Sequence, residues 1–245
     1  SIDAAEAILL EVIANTPEHY SHVIDDTDAV SIKFWDQIEF VHYVTWQQKN
    51  GLGDRRLNWI GNAYPRAHFY LGFICVKRKQ FDRAIEFLDK GYALQPTNPK
   101  FLFEKAQALV HSGRKPEALA LYDQVTEVNA HVSARDLAVA QRGRGFVLIE
   151  MGDLDGAEAA FRSSLEIEPD NDVALNEMRY IDHLRKGGAA TFIEAVPSSA
   201  PDLSRCAVCA QQFDKGVVVS LDGVPVSICK RCQRKLTKKW WQFWK

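Results

Sequence analysis

The feature that most constrains the fold is an internal repeat marked by a small residue. Ala84, Ala118 and Ala157 lie in register, at intervals of 34 and 39 residues, and the second interval is one repeat plus five. Small residues let two helices approach closely, and a repeat of this length is typical of helical hairpins that cannot bury their apolar faces alone. The spacing therefore predicts a stack of hairpins with a continuous core.

Larger residues recur around each alanine and carry a family resemblance. The first unit holds Leu71, Gly72, Phe81, Ala84, Leu88 and Pro96. The second unit holds Ala106, Leu109, Gly113, Ala118 and Tyr122, with Ala130 at the closing proline position. The third unit holds Gly145, Leu148, Gly152, Ala157, Phe161 and Pro169. This pattern resembles the tetratricopeptide repeat (TPR) family over about residues 65 to 171, and the five extra residues are expected near residues 129 to 136.

The resemblance implies a right-handed, all-α solenoid whose first helices line a concave face. At the offsets that this family uses, nine residues are expected to form a groove for a partner: Arg66, Phe69, Phe73, Lys77, Lys100, Phe103, Gln107, Arg142 and Phe146. Aromatic rings with Arg and Lys favour a protein or peptide segment with acidic and apolar side chains. In the alternative interpretation, some of these phenylalanines pack between hairpins and do not contact a partner. Phe69 and Phe73 stand where chaperone-tail clamps of the family carry Lys and Asn, so such a tail is not the expected partner.

The segments that flank the repeats have less distinct patterns. Residues 172 to 186 are predicted to form a capping helix, which closes the region 65 to 186. Residues 1 to 64 are interpreted as an N-terminal helical region, either a degenerate repeat or a cap, with a helix over residues 4 to 14. Residues 34 to 46 are rich in aromatic and β-branched residues and fit a buried helix or a strand, of which the helical surroundings favour the helix.

Four cysteines near the C-terminus form the most specific motif. Cys206 and Cys209, then Cys229 and Cys232, are two C-x2-C pairs separated by nineteen residues, the spacing of a tetrahedral zinc site. Valine-rich segments between the pairs flank Asp222-Gly223, which predicts a β-hairpin, and a helix is expected after it. This order resembles the treble-clef zinc fingers. The resemblance implies zinc as the cofactor of a module over residues 205 to 245, tethered by a linker over residues 187 to 204, although each pair could instead be a redox dithiol.

The predicted last helix is basic and aromatic. Residues 205 to 245 carry nine Lys and Arg against two Asp and Glu, whereas residues 1 to 204 carry 21 against 30. The tail contact residues are Trp240, Trp241, Phe243 and Trp244. These rings pack on the protein itself in one interpretation, and contact a membrane surface, a partner or a second copy in the others. A nucleic-acid-associated regulator is the rival function, because basic side chains beside aromatic rings also suit phosphates and bases.

Motifs of catalysis and targeting do not appear in the sequence. It contains no phosphate-binding loop, dinucleotide fingerprint or nucleophile elbow, so an enzyme is not expected. It also lacks an apolar run of about eighteen residues and the positive start of a secretory signal, which favours a cytoplasmic protein. The sequence as a whole predicts a scaffold that binds a partner in the repeat groove, with the zinc module as a second contact site.

Overall fold

The structure is a computed structural model, and it describes residues 2–50 and 55–188 together with strands at residues 216–221 and 224–229. The chain divides into two compact units, Ser1–Gly188 and Ala189–Lys245. The described helices of the first unit are α1 (Ile2–Ala14), α2 (Gln37–Asn50), α3 (Tyr64–Lys77), α4 (Phe81–Leu94), α5 (Lys100–His111), α6 (Lys115–Tyr122), α7 (Ala134–Met151), α8 (Leu154–Ile167) and α9 (Asp172–Arg185). The described strands are β1 (Val23–Asp25), β2 (Ala29–Ile32), β3 (Arg56–Trp59), β4 (Gly216–Leu221) and β5 (Val224–Cys229).

Three helical hairpins form the body, as the repeat predicts. The pairs α3/α4, α5/α6 and α7/α8 pack against each other in order, and α9 packs on α8. Ala84, Ala118 and Ala157 are fully buried, so the small residues lie where the helices meet. Ile181 of α9 is buried in a cluster with Phe161, so a helix packs on the last hairpin at the position of the predicted cap.

The turns inside the hairpins explain the glycine positions. Gly113 and Gly152 adopt φ values of 82° and 83°, in the left-handed region that glycine enters at little cost. Lys79 occupies the corresponding turn of the first hairpin with φ 58°, where the sequence shows no glycine. One backbone geometry is therefore repeated three times with two different residue types.

The five extra residues extend both a loop and a helix. Helix α6 has 8 residues and ends at Tyr122, whereas α7 has 18 residues and begins at Ala134. Ser133 caps α7: its side chain accepts a hydrogen bond from the backbone N–H of Asp136, whose carboxylate accepts one from the backbone N–H of Ser133. This reciprocal capping box fixes the start of α7. The insertion thus presents residues 123–133 as a long connection.

The N-terminal region differs from the all-α prediction. Helix α1 is present, and so is the helix favoured within residues 34 to 46, which is α2. However, β1 pairs with β2 in antiparallel fashion and β2 pairs with β3 in parallel fashion, so this region also contains a three-stranded sheet. The strands have only three or four residues, and β3 follows β2 by way of α2. Segments so short carry too little periodicity to separate a strand from a loop.

The second unit contains an antiparallel hairpin. Strands β4 and β5 pair with Gly216 opposite Cys229 and Leu221 opposite Val224, at the position of the valine-rich segments for which a hairpin is predicted. Cys206, Cys209 and Cys232, the predicted last helix and its aromatic residues lie outside the described residues. Within the part of the chain that the structure describes, no helix combines the length and apolar character that crossing a membrane requires.

Candidate functional site

The predicted groove lies on α3, α5 and α7, the first helices of the three hairpins. Helix α5 lies between the other two and contacts both. The intervals of 34 and 39 residues place Phe73, Gln107 and Phe146 at equivalent positions of the three helices. The nine predicted groove residues all belong to these helices, but the structure separates them into three groups with different surroundings.

The first group surrounds a residue of the N-terminal region, Trp35. The indole of Trp35 lies edge-on to Phe69, with ring centroids 5.0 Å apart, and edge-on to Phe101 at 5.8 Å. The Arg66 guanidinium lies 5.6 Å from the Trp35 ring and the Lys100 Nζ lies 5.4 Å from it. Trp35 is only 8% exposed. This end of the predicted groove is therefore filled by the chain itself.

Asp36 supplies the charge next to this tryptophan. Its Oδ2 lies 3.2 Å from Lys100 Nζ, and its Oδ1 accepts a hydrogen bond of 2.9 Å from the backbone N–H of Glu39 at the start of α2. The pKa of Asp36 is lowered although burial alone would raise it, because these hydrogen bonds and the charge of Lys100 favour the carboxylate. Asp36 thus caps α2 and at the same time forms an ion pair with Lys100 of the predicted groove.

Glu39 connects the backbone of Trp35 to the repeats. One of its carboxylate oxygens accepts the backbone N–H of Trp35, and the other lies 3.4 Å from Nε2 of Gln95, which donates to it. Burial raises the pKa of Glu39 to about 7, against the opposing effects of the Trp35 hydrogen bond and of Lys100. The carboxyl is therefore a titratable group at the junction between the N-terminal region and the repeats.

The second group corrects two of the predicted contacts. Phe103 is 7% exposed and stacks on Tyr122, with ring centroids 6.0 Å apart. The Arg142 side chain is largely buried, forms an ion pair with Glu168 and donates a hydrogen bond of 2.9 Å to Ser164 Oγ. Both side chains point toward the second helices of their own repeats. They pack inside their own hairpins, so they are wrong as groove residues; the ring contact of Phe103 lies within one hairpin and not between hairpins, as the alternative interpretation expected.

The third group is open to solvent. Phe73 is 42% exposed and Phe146 is 40% exposed, and Gln107 lies exposed at the equivalent position between them. Lys77 is exposed, and its Nζ lies 5.3 Å from the centroid of the Phe73 ring. Tyr70, one turn from Phe73, is 40% exposed and was not predicted. These five residues are called the open row below.

The open row is close to neutral in charge. The basic side chains Arg66 and Lys100 are engaged with Trp35 and Asp36, and Arg142 is paired with Glu168. Glu104 of α5 is partly buried, and this burial raises its pKa although the nearby charge of Lys77 opposes the rise. The accessible part of the groove therefore lacks the strongly basic character that the sequence predicts.

Sequence reasoning missed Trp35, Asp36 and Phe101 as parts of this site. A signal for the first two existed, because Asp36 followed three residues later by Glu39 is the pattern of a helix start. That signal places the beginning of α2, but it does not show which surface the preceding tryptophan contacts. The predicted zinc ligands cannot be placed beside this site: only Cys229 falls in a described strand, at the end of β5. Among the described residues, no group of three His, Cys, Asp or Glu side chains is arranged to hold a metal ion.

Comparison with known families identifies the class of this solenoid. Residues 63–141 and residues 143–171 each match a family model described as tetratricopeptide repeat. Together with the three hairpins, these matches show that the chain carries tetratricopeptide repeats in a helical solenoid of the TPR type, as the resemblance implied.

Two curated proteins are similar to part of the chain. BBSome complex member bbs-4 of Caenorhabditis elegans is 31% identical over 127 residues, which cover 50% of this chain and 25% of that protein. Superkiller complex protein 3 of Homo sapiens is 27% identical over 143 residues, which cover 55% of this chain and 9% of that protein. The chain thus spans a quarter or less of the curated relatives that it matches.

Solved TPR domains are similar over about half of the chain. The TPR2AB domain of yeast Sti1 in complex with pHSP90 is 20% identical with a TM-score of 0.46, over 52% of this chain and 49% of that one. The first TPR domain of human RPAP3 is 22% identical with a TM-score of 0.43, over 50% of this chain and 93% of that one. The Sgt2 TPR domain of Aspergillus fumigatus is 21% identical with a TM-score of 0.44, over 56% of this chain and 93% of that one.

Proposed function

We propose that the protein is a non-enzymatic adaptor that holds a segment of a partner protein on the open row. The observation that carries this proposal is the exposure of Phe73 and Phe146 at equivalent positions of α3 and α7, with Gln107 between them. Exposed aromatic rings provide apolar area to a partner at little cost in conformational entropy.

The spacing of the open row suggests an extended partner segment. Neighbouring packed helices lie roughly 10 Å apart, so Phe73 and Phe146 are separated by about 20 Å. An extended chain rises about 3.3 Å per residue and covers that distance with about six residues. The Gln107 amide can donate and accept one hydrogen bond each with the partner backbone between the two apolar contacts.

The charge of the open row changes the expected partner. The acidic character predicted for the partner depended mainly on Arg66, Lys100 and Arg142, which contact Trp35, Asp36 and Glu168 of the same chain. The proposed partner segment is therefore selected mainly by two apolar side chains about six residues apart. Lys77 remains available for one acidic side chain near the Phe73 end.

Affinity capture with matched variants tests this proposal. The Phe73→Ala, Phe146→Ala double variant is compared with the unsubstituted chain and with a Met151→Ala, Val173→Ala control, in nuclease-treated lysate. The control removes two exposed apolar side chains that lie outside the open row. We expect the proteins held by the unsubstituted chain and by the control to be lost from the double variant. Retention of the same proteins by all three would contradict the proposal.

We propose in addition that the C-terminal module binds one zinc ion through Cys206, Cys209, Cys229 and Cys232. The paired β4 and β5, which end at Cys229, support this proposal because a hairpin between two C-x2-C pairs brings the pairs together. Four thiolates would hold the ion as a structural site that contributes directly to folding. The module would then offer a second contact on the same partner or on another one.

Native mass spectrometry of the full chain tests the zinc site. We expect one zinc ion per chain, lost after a chelator and absent from a Cys206→Ser, Cys232→Ser variant. A Cys75→Ala variant is the control, because Cys75 is buried in α3 and should not affect the metal content. A metal-free chain after expression in zinc-supplemented medium, with all four thiols alkylated rapidly, would disprove the site.

A further inference from the structure

We propose that the basic and aromatic end of the predicted groove, on α3 and α5, is a recognition site for an aromatic residue followed by an acidic one at the start of a helix. Trp35 and Asp36 occupy this site as a ligand within the same chain, and a partner helix with the same pair displaces them. The site consists of Arg66, Phe69, Lys100 and Phe101. It is separate from the open row and does not depend on the function proposed for that row.

The tryptophan contributes most of the contact. Its ring is enclosed by Phe69 and Phe101, and it packs in one buried cluster with Leu88 of α4. Two cations approach the ring, and Arg66 also donates a hydrogen bond of 3.4 Å to the Trp35 backbone carbonyl. A tryptophan between aromatic edges and cations is typical of the central residue in a binding site.

Asp36 contributes orientation more than affinity. Its ion pair with Lys100 is accessible to water, with side-chain exposures of 41% for Asp36 and 36% for Lys100. Exposed pairs of this kind contribute little to stability, so a competing carboxylate can take the place of Asp36. The helix that Asp36 caps then leaves the site in a fixed direction.

The N-terminal module, defined here as residues 20–62, is held on the repeats by side chains. Among the described residues, the α2 backbone does not pack closely along any helix of the solenoid. The module has its own small core around Ile32, Phe34 and Tyr43, to which the repeats add Ala130 at the edge. A body with its own core and few backbone contacts can separate from its neighbour without unfolding it.

Further polar contacts complete the attachment, in addition to the hydrogen bond that Gln95 donates to Glu39. Asn62 Nδ2 donates a hydrogen bond of 2.7 Å to Gln95 Oε1, and His42 Nε2 lies 2.7 Å from the Asn129 carbonyl oxygen. The second contact involves the connection that the five extra residues lengthen. Each is a hydrogen bond that water can replace when the module opens.

A peptide-binding experiment with the full chain tests this inference. The probe is a fluorescein-labelled synthetic peptide with the sequence of residues 31–45. We expect a Trp35→Ala, Asp36→Ala variant to bind the probe at least tenfold more tightly than the unsubstituted chain does. Adding Phe69→Ala and Lys100→Glu to that variant should abolish binding, and a probe that lacks the tryptophan and the aspartate should not bind.

Two results would overturn the inference. One is equal affinity of the probe for the unsubstituted chain and the opened variant. The other is an absence of binding to an opened variant whose amide protection in α3, α4 and α5 matches that of the unsubstituted chain. If the opened variant fails to fold, hydrogen exchange of the unsubstituted chain provides the test. We expect the α2 amides to exchange through openings that leave the α5 amides protected. If the amides of both helices exchange only through global unfolding, the module does not separate from the repeats and the inference is wrong.

Discussion

At the scale of single residues, Lys79 adopts a backbone conformation that the repeat requires and that the residue itself disfavours. It adopts φ 58° in the turn that Gly113 and Gly152 form in the other hairpins. A residue with a Cβ pays roughly 1 kcal/mol or more in this region, which glycine avoids. Packing of the first hairpin therefore imposes a backbone conformation that the local residue disfavours.

A glycine at this turn should stabilise the protein. We expect Lys79→Gly to raise the free energy of unfolding by about 0.5–1 kcal/mol, because the left-handed conformation then costs less. Gly113→Ala should lower the free energy of unfolding by about 1 kcal/mol for the converse reason. Urea denaturation followed by circular dichroism measures both. A loss of stability in Lys79→Gly would show that the lysine side chain contributes more than the backbone strain removes.

At the scale of the element, the hairpins depend on small residues at the helix crossings. Ala118 is fully buried in α6, where the second helix of the middle hairpin meets its neighbours, and Ala120 of the same helix is exposed. Interiors are packed densely enough that added methylene groups force side chains or backbone to move. The two alanines therefore have the same helix propensity but opposite tolerance to enlargement.

Enlargement of these two alanines separates packing from propensity. We expect Ala118→Leu to lower the free energy of unfolding by about 1–3 kcal/mol through overpacking. Ala120→Leu should change it by less than about 0.5 kcal/mol, because the exposed side chain meets only solvent. Thermal or urea denaturation of the two variants in parallel measures the difference. Similar losses in both would mean that α6 does not pack as the structure describes.

At the scale of the whole molecule, the N-terminal module converts part of the predicted partner groove into an internal interface. The module also brings titratable groups to the junction. Burial lowers the pKa of His131 to about 4, with smaller effects from His22 and His42. Burial likewise lowers the pKa of His68 to about 4, whereas it raises the pKa of Glu39 to about 7. The two histidines and Glu39 should therefore make opposite contributions to the pH dependence of the free energy of unfolding.

The sign of each contribution follows from linkage. The two histidines stabilise the fold above pH 6.5, their usual pKa, and lose this contribution as the pH falls toward 4. Glu39 contributes most below its usual pKa of 4.5 and loses its contribution as the pH rises through 7. Among these three groups the two histidines outweigh Glu39, so their combined contribution to the free energy of unfolding should fall between about pH 6.5 and pH 5.

Two variants test this balance by urea denaturation across that pH range. Glu39→Gln should make the fall on acidification steeper, because it removes the opposing carboxyl. His131→Gln should make it shallower, because it removes one of the groups that must take up a proton on unfolding. If neither variant changes the slope, the junction groups do not control the pH dependence.

Much of the solenoid could be predicted from the sequence, because its contacts are local and repeated. Ala84, Ala118 and Ala157 define the register, and each hairpin buries its apolar face against the next hairpin along the chain. The turns at Gly113 and Gly152 and the cap α9 follow from the same periodic pattern. Each repeat contacts the repeats that are next to it in the sequence, so its packing can be predicted without the tertiary structure.

The state of the groove was decided only by the tertiary structure. Whether Phe69 and Lys100 face a partner depends on Trp35 and Asp36, which lie 34 and 64 residues earlier in the chain and belong to no repeat. The pairing of β2 with β3 is likewise a contact between segments that belong to no repeat. Periodicity describes the face of one element, whereas the occupant of that face is set by long-range packing that leaves no local pattern.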